Sequence, residues 1–232
     1  MSDSASTAVH GPELRHHFSD VEQQRNAASF GMWLFLATEI MFFGGMFLAY
    51  LVYRYWHFND FAAASQSLDI RLGAINTAVL IGSSVTVVMA VWASQVGKRK
   101  QLVGYLLATI LLGLVFLGIK AKEYKQKFDE HHVPGASFHF VPEHMEGHSD
   151  VPPVNERHAE MFFSLYFVMT GMHAIHMIIG IGLFSFLTVM AWKGRYTPAY
   201  HTPIENAGLY WHFVDIVWIY LFPLLYLISR HH

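Results

Sequence analysis

Five ionisable side chains stand inside long apolar runs: Glu39, His173, His176, His212 and Asp215. A charged carboxylate at the centre of a spanning helix costs roughly 2.5–3.5 kcal/mol on insertion scales, so each such residue asks for a reason. His173 and His176 are three apart, as are His212 and Asp215, and residues three apart share a helical face. Glu39 lies about nine residues, roughly 14 Å, into its run. If its run and that of Asp215 start from one membrane face, Glu39, His212 and Asp215 reach similar depth. Three chemistries suit this set. Asp, Glu and His inside a membrane can pass protons. His173 or His176 facing His212 could hold a haem iron from two sides, which would make the chain an independent membrane electron carrier. A histidine near an interface can contact a lipid head group. The plainer alternative is that these groups hydrogen-bond helix to helix and hold a bundle together. Spacing alone leaves all four open.

The elements that position these residues follow from composition. The 232 residues are 53% hydrophobic and only 14% charged, where a soluble domain carries roughly a quarter. The apolar residues clump into runs at about 30–53, 72–96, 101–119, 161–192 and 207–229. Each is close to the roughly 20 residues a spanning helix needs. The predicted fold is therefore all-α, a polytopic membrane bundle with five transmembrane helices forming one domain over 30–229. Residues 1–29 are a polar segment without an apolar h-region, so no cleavable signal peptide is expected. Residues 120–160 are expected to form a long His/Pro-rich extramembrane loop. Net charge is −2, which leaves no basic footprint for nucleic acid. The chain has no cysteine, which excludes disulfides, thiolate-held clusters and Cys-ligated zinc.

Connections sharpen the picture. Lys98-Arg99-Lys100 mark a tight turn between the second and third runs, and Lys193–Asn206, with Pro198 and Pro203, a short one between the last two. Their cations favour a cytoplasmic location for that face, hence an inward N-terminus and an outward C-terminus. Ala78 and Gly82, Gly44 and Gly45, and Gly180 and Gly182 are expected at close helix contacts. Trp33, Trp56, Trp92, Trp192 and Trp211 are expected in the interfacial aromatic belt. Pro223 should kink or open the last helix. In the long loop, His131, His132, His139, His144, His148 and His158, with Glu143, Glu146 and Asp150, match no ligand template and read as a solvated segment. No nucleotide loop, zinc-protease helix or nucleophile elbow is present. The chain shows no catalytic constellation of its own.

Taken together the motifs resemble subunit III of haem–copper respiratory oxidases. Phe30–Phe43, with Thr38-Glu39 ahead of Ile40, Met41, Phe42 and Phe43, is similar to that family's signature helix. Asn76-Thr77 followed by Ser83, Ser84 and Thr86 resembles its next helix, and Lys122-Glu123-Tyr124 the close of the one after. Gly171-Met172-His173 with His176 resembles a Gly-x-His-x-x-His element. Glu205 and the stretch Tyr210-Trp211-His212-Phe213-Val214-Asp215 through Trp218 match the C-terminal signature. The likeness covers roughly residues 30–229 in order. It implies a non-catalytic accessory subunit of a proton-pumping terminal oxidase that reduces oxygen to water in aerobic respiration. It implies no cofactor in this chain, with haems and copper in partner subunits. It also implies packing against the catalytic haem–copper subunit I, bound phospholipids and support of proton uptake, in a bacterial inner membrane. Glu39 falls on the family's intramembrane carboxylate, and His173, His176, His212 and Asp215 on its other recurrent polar positions. Haem ligation by this chain loses ground under that resemblance. Two further helices precede the Glu-bearing one in longer members, so this chain resembles the five-helix bacterial form. The electron donor, cytochrome c or a quinol, is a property of other subunits.

Overall fold

A computed structural model describes residues 18–130, 132–135, 138, 140, 154–198 and 200–227. Six helices follow in order: α1 Val21–Trp56, α2 Phe58–Gln66, α3 Ile70–Gln95, α4 Arg99–Asp129, α5 Glu156–Trp192 and α6 Thr202–Tyr226. All but α2 are long and apolar enough to cross a membrane. The all-helical, five-span expectation therefore holds. Helices α3 and α5 each pack against both α4 and α6, which closes a four-helix ring. Helix α1 docks outside that ring on α6 and α5, and α2 lies across α5.

Local sequence sets the ends. The Asp20 carboxylate caps α1 by accepting from Gln23 N–H at 2.7 Å, and that bond holds its pKa below the usual carboxylate range. Asp69 and Asn155 cap α3 and α5 in the same way, and Pro203 opens α6. The two short turns share one geometry. After α3, Gly97 at φ 75° lets Lys98 N–H reach Ala93 O at 2.9 Å and Gly97 N–H reach Ser94 O at 3.3 Å. After α5, Gly194 at φ 76° lets Arg195 N–H reach Met190 O at 3.1 Å and its own N–H reach Ala191 O at 3.0 Å. Both are six-to-one and five-to-two closures that need a left-handed residue. Arg99 Nε then donates to Ala191 O at 3.1 Å, placing a cation at the negative end of α5.

The helices outrun the apolar runs. Helix α1 starts nine residues before the predicted span, inside the polar segment. Helix α4 continues to Asp129 instead of stopping near 119, so the connection to α5 is far shorter than the expected loop. The reason is Lys120 and Glu123, both buried, which a hydropathy window reads as a span end. Pro223 does not end α6, which runs on to Tyr226; the Tyr50 hydroxyl donates to Leu224 O at 3.0 Å in that last turn. Of the loop residues singled out above, His131, His139, His144, His148, Glu143, Glu146 and Asp150 lie outside the described residues.

Several packing expectations need correction. Trp33, Trp56, Trp92 and Trp192 are exposed, as belt residues should be, but Trp211 is fully buried. Gly180 is a true contact point, since a Cβ there would stand 2.9 Å from the Trp211 ring. Gly44, Gly45 and Gly182 face open space, Gly82 touches Leu112 only in ordinary contact, and Ala78 is exposed. The close approaches fall instead at Gly73 against Phe222 and at Gly113 and Gly180 on either side of Trp211.

Candidate functional site

Helix α1 meets the ring through Leu36, Phe43 and Tyr50, its buried residues, spaced seven apart on one stripe. Glu39 stands beside that stripe and points to α5. Its Oε2 lies 3.1 Å from His176 Nε2. His176 Nδ1 is 2.8 Å from Met172 O, and a carbonyl can only accept, so Nδ1 carries a hydrogen. A single further proton then serves the Nε2–Oε2 contact. Either Glu39 is protonated and donates to a neutral imidazole, or an imidazolium donates to the carboxylate. The pair is electrically neutral in both arrangements, which is how a carboxyl is tolerated at this depth. The edge of Phe43 packs on the His176 ring at 5.2 Å, and Tyr210 Oη donates to His176 O at 2.9 Å.

The other expected residues are placed separately. His212 Nδ1 lies 2.7 Å from Ser84 Oγ on α3. It does not bond to Asp215, although the two are three apart on one helix. Asp215 is buried and its oxygens make no hydrogen bond within ordinary geometry, with the Ser84 hydroxyl as its polar neighbour. His173 is boxed by Phe116 and Trp218, at ring distances of 5.4 and 5.3 Å, and neither ring nitrogen is hydrogen-bonded. The three histidines thus point at different partners, and no pair of them converges as an iron would require. The bis-histidine reading is set aside.

A second polar cluster lay where a loop was expected. Lys120 Nζ donates to Glu123 Oε2 at 3.0 Å, to Tyr166 Oη at 3.2 Å and to Tyr226 Oη at 3.0 Å. Tyr166 Oη donates to Glu123 Oε1 at 2.6 Å, and Tyr226 Oη donates to the same oxygen. All three ammonium protons and both carboxylate oxygens are used. The ammonium also sits 4.9 Å from the Trp218 ring centre. Further along α4, Lys127 Nζ reaches Ser67 O at 2.8 Å and Glu130 at 2.6 Å, fastening the turn after α2. An i,i+3 Lys–Glu spacing at 120/123 and again at 127/130 was the signal available in the sequence.

Three cavities follow one another along the outer side of α1 and α6. The first, about 450 Å³, is bounded by Glu22, Arg25, Tyr200 and Asn206. The second, about 460 Å³, shares Asn206 and adds Trp33, Gln95, Glu205 and His212. The third, about 500 Å³, shares Trp33, Leu209 and His212 and is otherwise apolar, with Ile40, Gly44 and Ile216 in its walls. Charged groups thus stand at one end and hydrocarbon at the other.

Replacing Glu39 by glutamine keeps a neutral donor for His176 Nε2. The expected result is a stability change within about 1 kcal/mol on thermal unfolding. If Glu39 holds the proton, the infrared carbonyl band of a protonated carboxyl disappears in the same variant. A loss of several kcal/mol from this change would contradict a neutral, proton-sharing Glu39–His176 pair.

The model of the family described as cytochrome c oxidase subunit III matches residues 13–142 and 158–230. A Nocardia farcinica protein named "Probable cytochrome c oxidase subunit 3" is 32% identical over 203 residues, 88% of this chain and 89% of that one. Cytochrome c oxidase subunit 3 of Corynebacterium diphtheriae is 33% identical over 206 residues, with the same coverage. The Gallus gallus protein of that name is 30% identical over 224 residues, 91% of this chain but 72% of the relative.

Proposed function

Since the chain belongs to the cytochrome c oxidase subunit III family, we propose that it acts as the lipid-holding brace of that oxidase, beside the catalytic haem–copper subunit I. It is an accessory subunit of an enzyme complex that reduces oxygen in the respiratory chain, and is itself non-catalytic. The observation that carries the lipid part is the row of cavities along α1 and α6. Arg25 stands at the polar end, where a phosphate would find a cation, and the apolar groove beyond Trp33 accepts acyl chains. The stretch of α1 from Arg25 to Gly44 covers roughly 28 Å at 1.5 Å per residue, ample for one monolayer of a core about 30 Å thick.

The remaining parts of the reading rest on the same helices. Most of α1 is exposed and apolar, including Phe30, Leu34, Met41 and Leu48, a surface suited to lipid and to a partner subunit. The charged short turns favour a cytoplasmic position for the Gly97 and Gly194 end of a bacterial inner-membrane protein. Glu39 and His176, with one proton between them, are the groups suited to supporting proton uptake. Haems and copper then belong to the partner subunits.

Native mass spectrometry of the complex in mild detergent tests the proposal. Equal stoichiometry with a large haem–copper subunit and retained phospholipid are expected. A Cβ on Gly44 meets nothing, so Gly44→Phe should fill the groove and remove lipid without disturbing the fold. An unchanged lipid complement in Gly44→Phe would sink the lipid reading. Isolation of the chain without a haem–copper partner would sink the partner reading.

A further inference from the structure

At the opposite end of the bundle from the glycine turns, three metal-competent side chains meet that the sequence keeps far apart. His57 sits at the junction of α1 and α2, Asp60 in the first turn of α2, and His158 in the first turn of α5. We propose that His57, Asp60 and His158 form a binding site for a divalent transition-metal ion, with Zn²⁺ as the best-suited probe.

The geometry carries this. One donor atom from each residue lies within 4.8 Å of the other two. Zinc holds imidazole nitrogen at roughly 2.0–2.1 Å and carboxylate oxygen at roughly 2.0–2.2 Å in a tetrahedral shell, so two donors on one ion stand about 3.4 Å apart. Closing the present arrangement needs side-chain tips to shift by about 1 Å, with the widest separation narrowing and the His158–Asp60 contact opening. His158 Nδ1 and Asp60 Oδ2 are already 2.6 Å apart, and a metal would take the place of the proton between them. The His57 ring is stacked on His158 with centres 3.6 Å apart and planes at 26°, which brings the second imidazole alongside, and a turn of one ring about its Cβ–Cγ bond would aim both in-plane lone pairs at one ion.

The surroundings are those of a built site. Asp60 Oδ1 accepts from Asn155 N–H at 3.0 Å. That bond fixes the carboxylate and leaves Oδ2 aimed at the imidazole, the outer-shell support that metal ligands commonly have. The side chains of His158 and Asp60 are 26% and 19% exposed, enough for an ion to enter and for a water to complete the coordination. Two imidazoles and one carboxylate suit zinc or copper(II) and not calcium or magnesium, which favour all-oxygen shells. None of the membrane histidines competes, because His176 and His212 are engaged elsewhere and His173 is enclosed by rings. A bound ion would fasten the α1–α2 corner to the start of α5, adding to the Asn155–Asp60 bond and the Phe61–Phe162 contact already there.

The test uses the chelator-stripped oxidase complex containing this chain. Zinc is titrated by equilibrium dialysis with metal analysis, in wild type and in His57→Ala, His158→Ala and Asp60→Asn. The expected result is one zinc equivalent whose affinity falls at least about 100-fold in each variant and that excess Ca²⁺ does not displace. X-ray absorption of that equivalent should show two imidazoles. His132→Ala is the control and should keep the site. If Asp60→Asn impairs assembly because the carboxylate facing His158 is lost, His57→Gln carries the comparison, since no hydrogen bond joins the His57 side chain to the described neighbouring helix ends. Zinc should also raise the unfolding temperature of the wild type and not of His57→Gln. Unchanged affinity in the histidine variants, or an equivalent lost only on deleting His144 and His148, would overturn the proposal. Oxygen consumption plays no part in this readout.

Discussion

Lys120→Met is expected to cost about 3–5 kcal/mol, the usual penalty for removing one partner of a buried ion pair. The lysine is 3% exposed and spends its three protons on Glu123, Tyr166 and Tyr226. Without it, Glu123 remains in the core with two tyrosine donors and no counter-charge, and both tyrosines lose the donor to their oxygens. Methionine matches the stem of the lysine, so the loss is electrostatic and not a cavity. The double change Lys120→Met with Glu123→Gln should recover most of the stability, because no charge is then left unpaired. The check is thermal unfolding of the purified chain in detergent, alongside the fraction of complexes that retain it. A double variant as unstable as the single one would mean that the two residues act independently.

The second large effect is expected at Trp211. One face of its indole lies against Gly180 of α5 and its far edge against Gly113 of α4, while Nε1 donates to Ser83 Oγ of α3 at 3.0 Å. A single side chain of α6 therefore touches every other helix of the ring. Trp211→Ala should cost about 3–5 kcal/mol through the cavity left behind, and within a membrane that loss is one of packing contacts, the force that holds such helices together. Gly180→Val should also weaken the bundle, by about 1–3 kcal/mol, since the added carbons have nowhere to go. Gly182→Val and Trp192→Ala, both on open surface, should have little effect. The same unfolding measurement on the four variants tests the pattern, and equal behaviour of Gly180→Val and Gly182→Val would contradict it.

The contrast between these residues and their reading from the sequence has a physical basis. The number and order of the spans were legible, because each long apolar run must be helical in hydrocarbon whatever its neighbours do. The end of α4 was not. Lys120 and Glu123 look like the edge of a membrane when counted one by one. They become interior residues only with Tyr166 and Tyr226, which lie tens of positions away. Trp211 was misplaced because distance from a span end says nothing about which way a ring points. The same limit applied to His212 and Asp215: three residues apart means about 60° around the helix axis, and both side chains turn to the one Ser84 hydroxyl, which the imidazole engages at 2.7 Å, and not to each other. Glu39 and His176 were both singled out by their placement in apolar runs, but their pairing depends on how α1 leans on α5, which no spacing encodes. The His57, Asp60 and His158 group was hidden for the same reason, with one of its three members alone visible among the loop histidines.

The proton shared by Glu39 and His176 has a further property, which concerns voltage. A charge crossing the whole membrane at 100 mV gains or loses about 2.3 kcal/mol. The proton between Nε2 and Oε2 travels less than the 3.1 Å that separates them, at most roughly a tenth of a hydrocarbon core about 30 Å thick. The pair lies between two helices standing side by side, so much of that step runs along the membrane plane. The field of a respiring cell thus shifts the balance between the two protonation arrangements by no more than about 0.2 kcal/mol per 100 mV. Whether the membrane is energised or depleted, the balance between the two arrangements is set by the local contacts of the pair, with Met172 O holding the Nδ1 hydrogen and the ring of Phe43 packed on the imidazole.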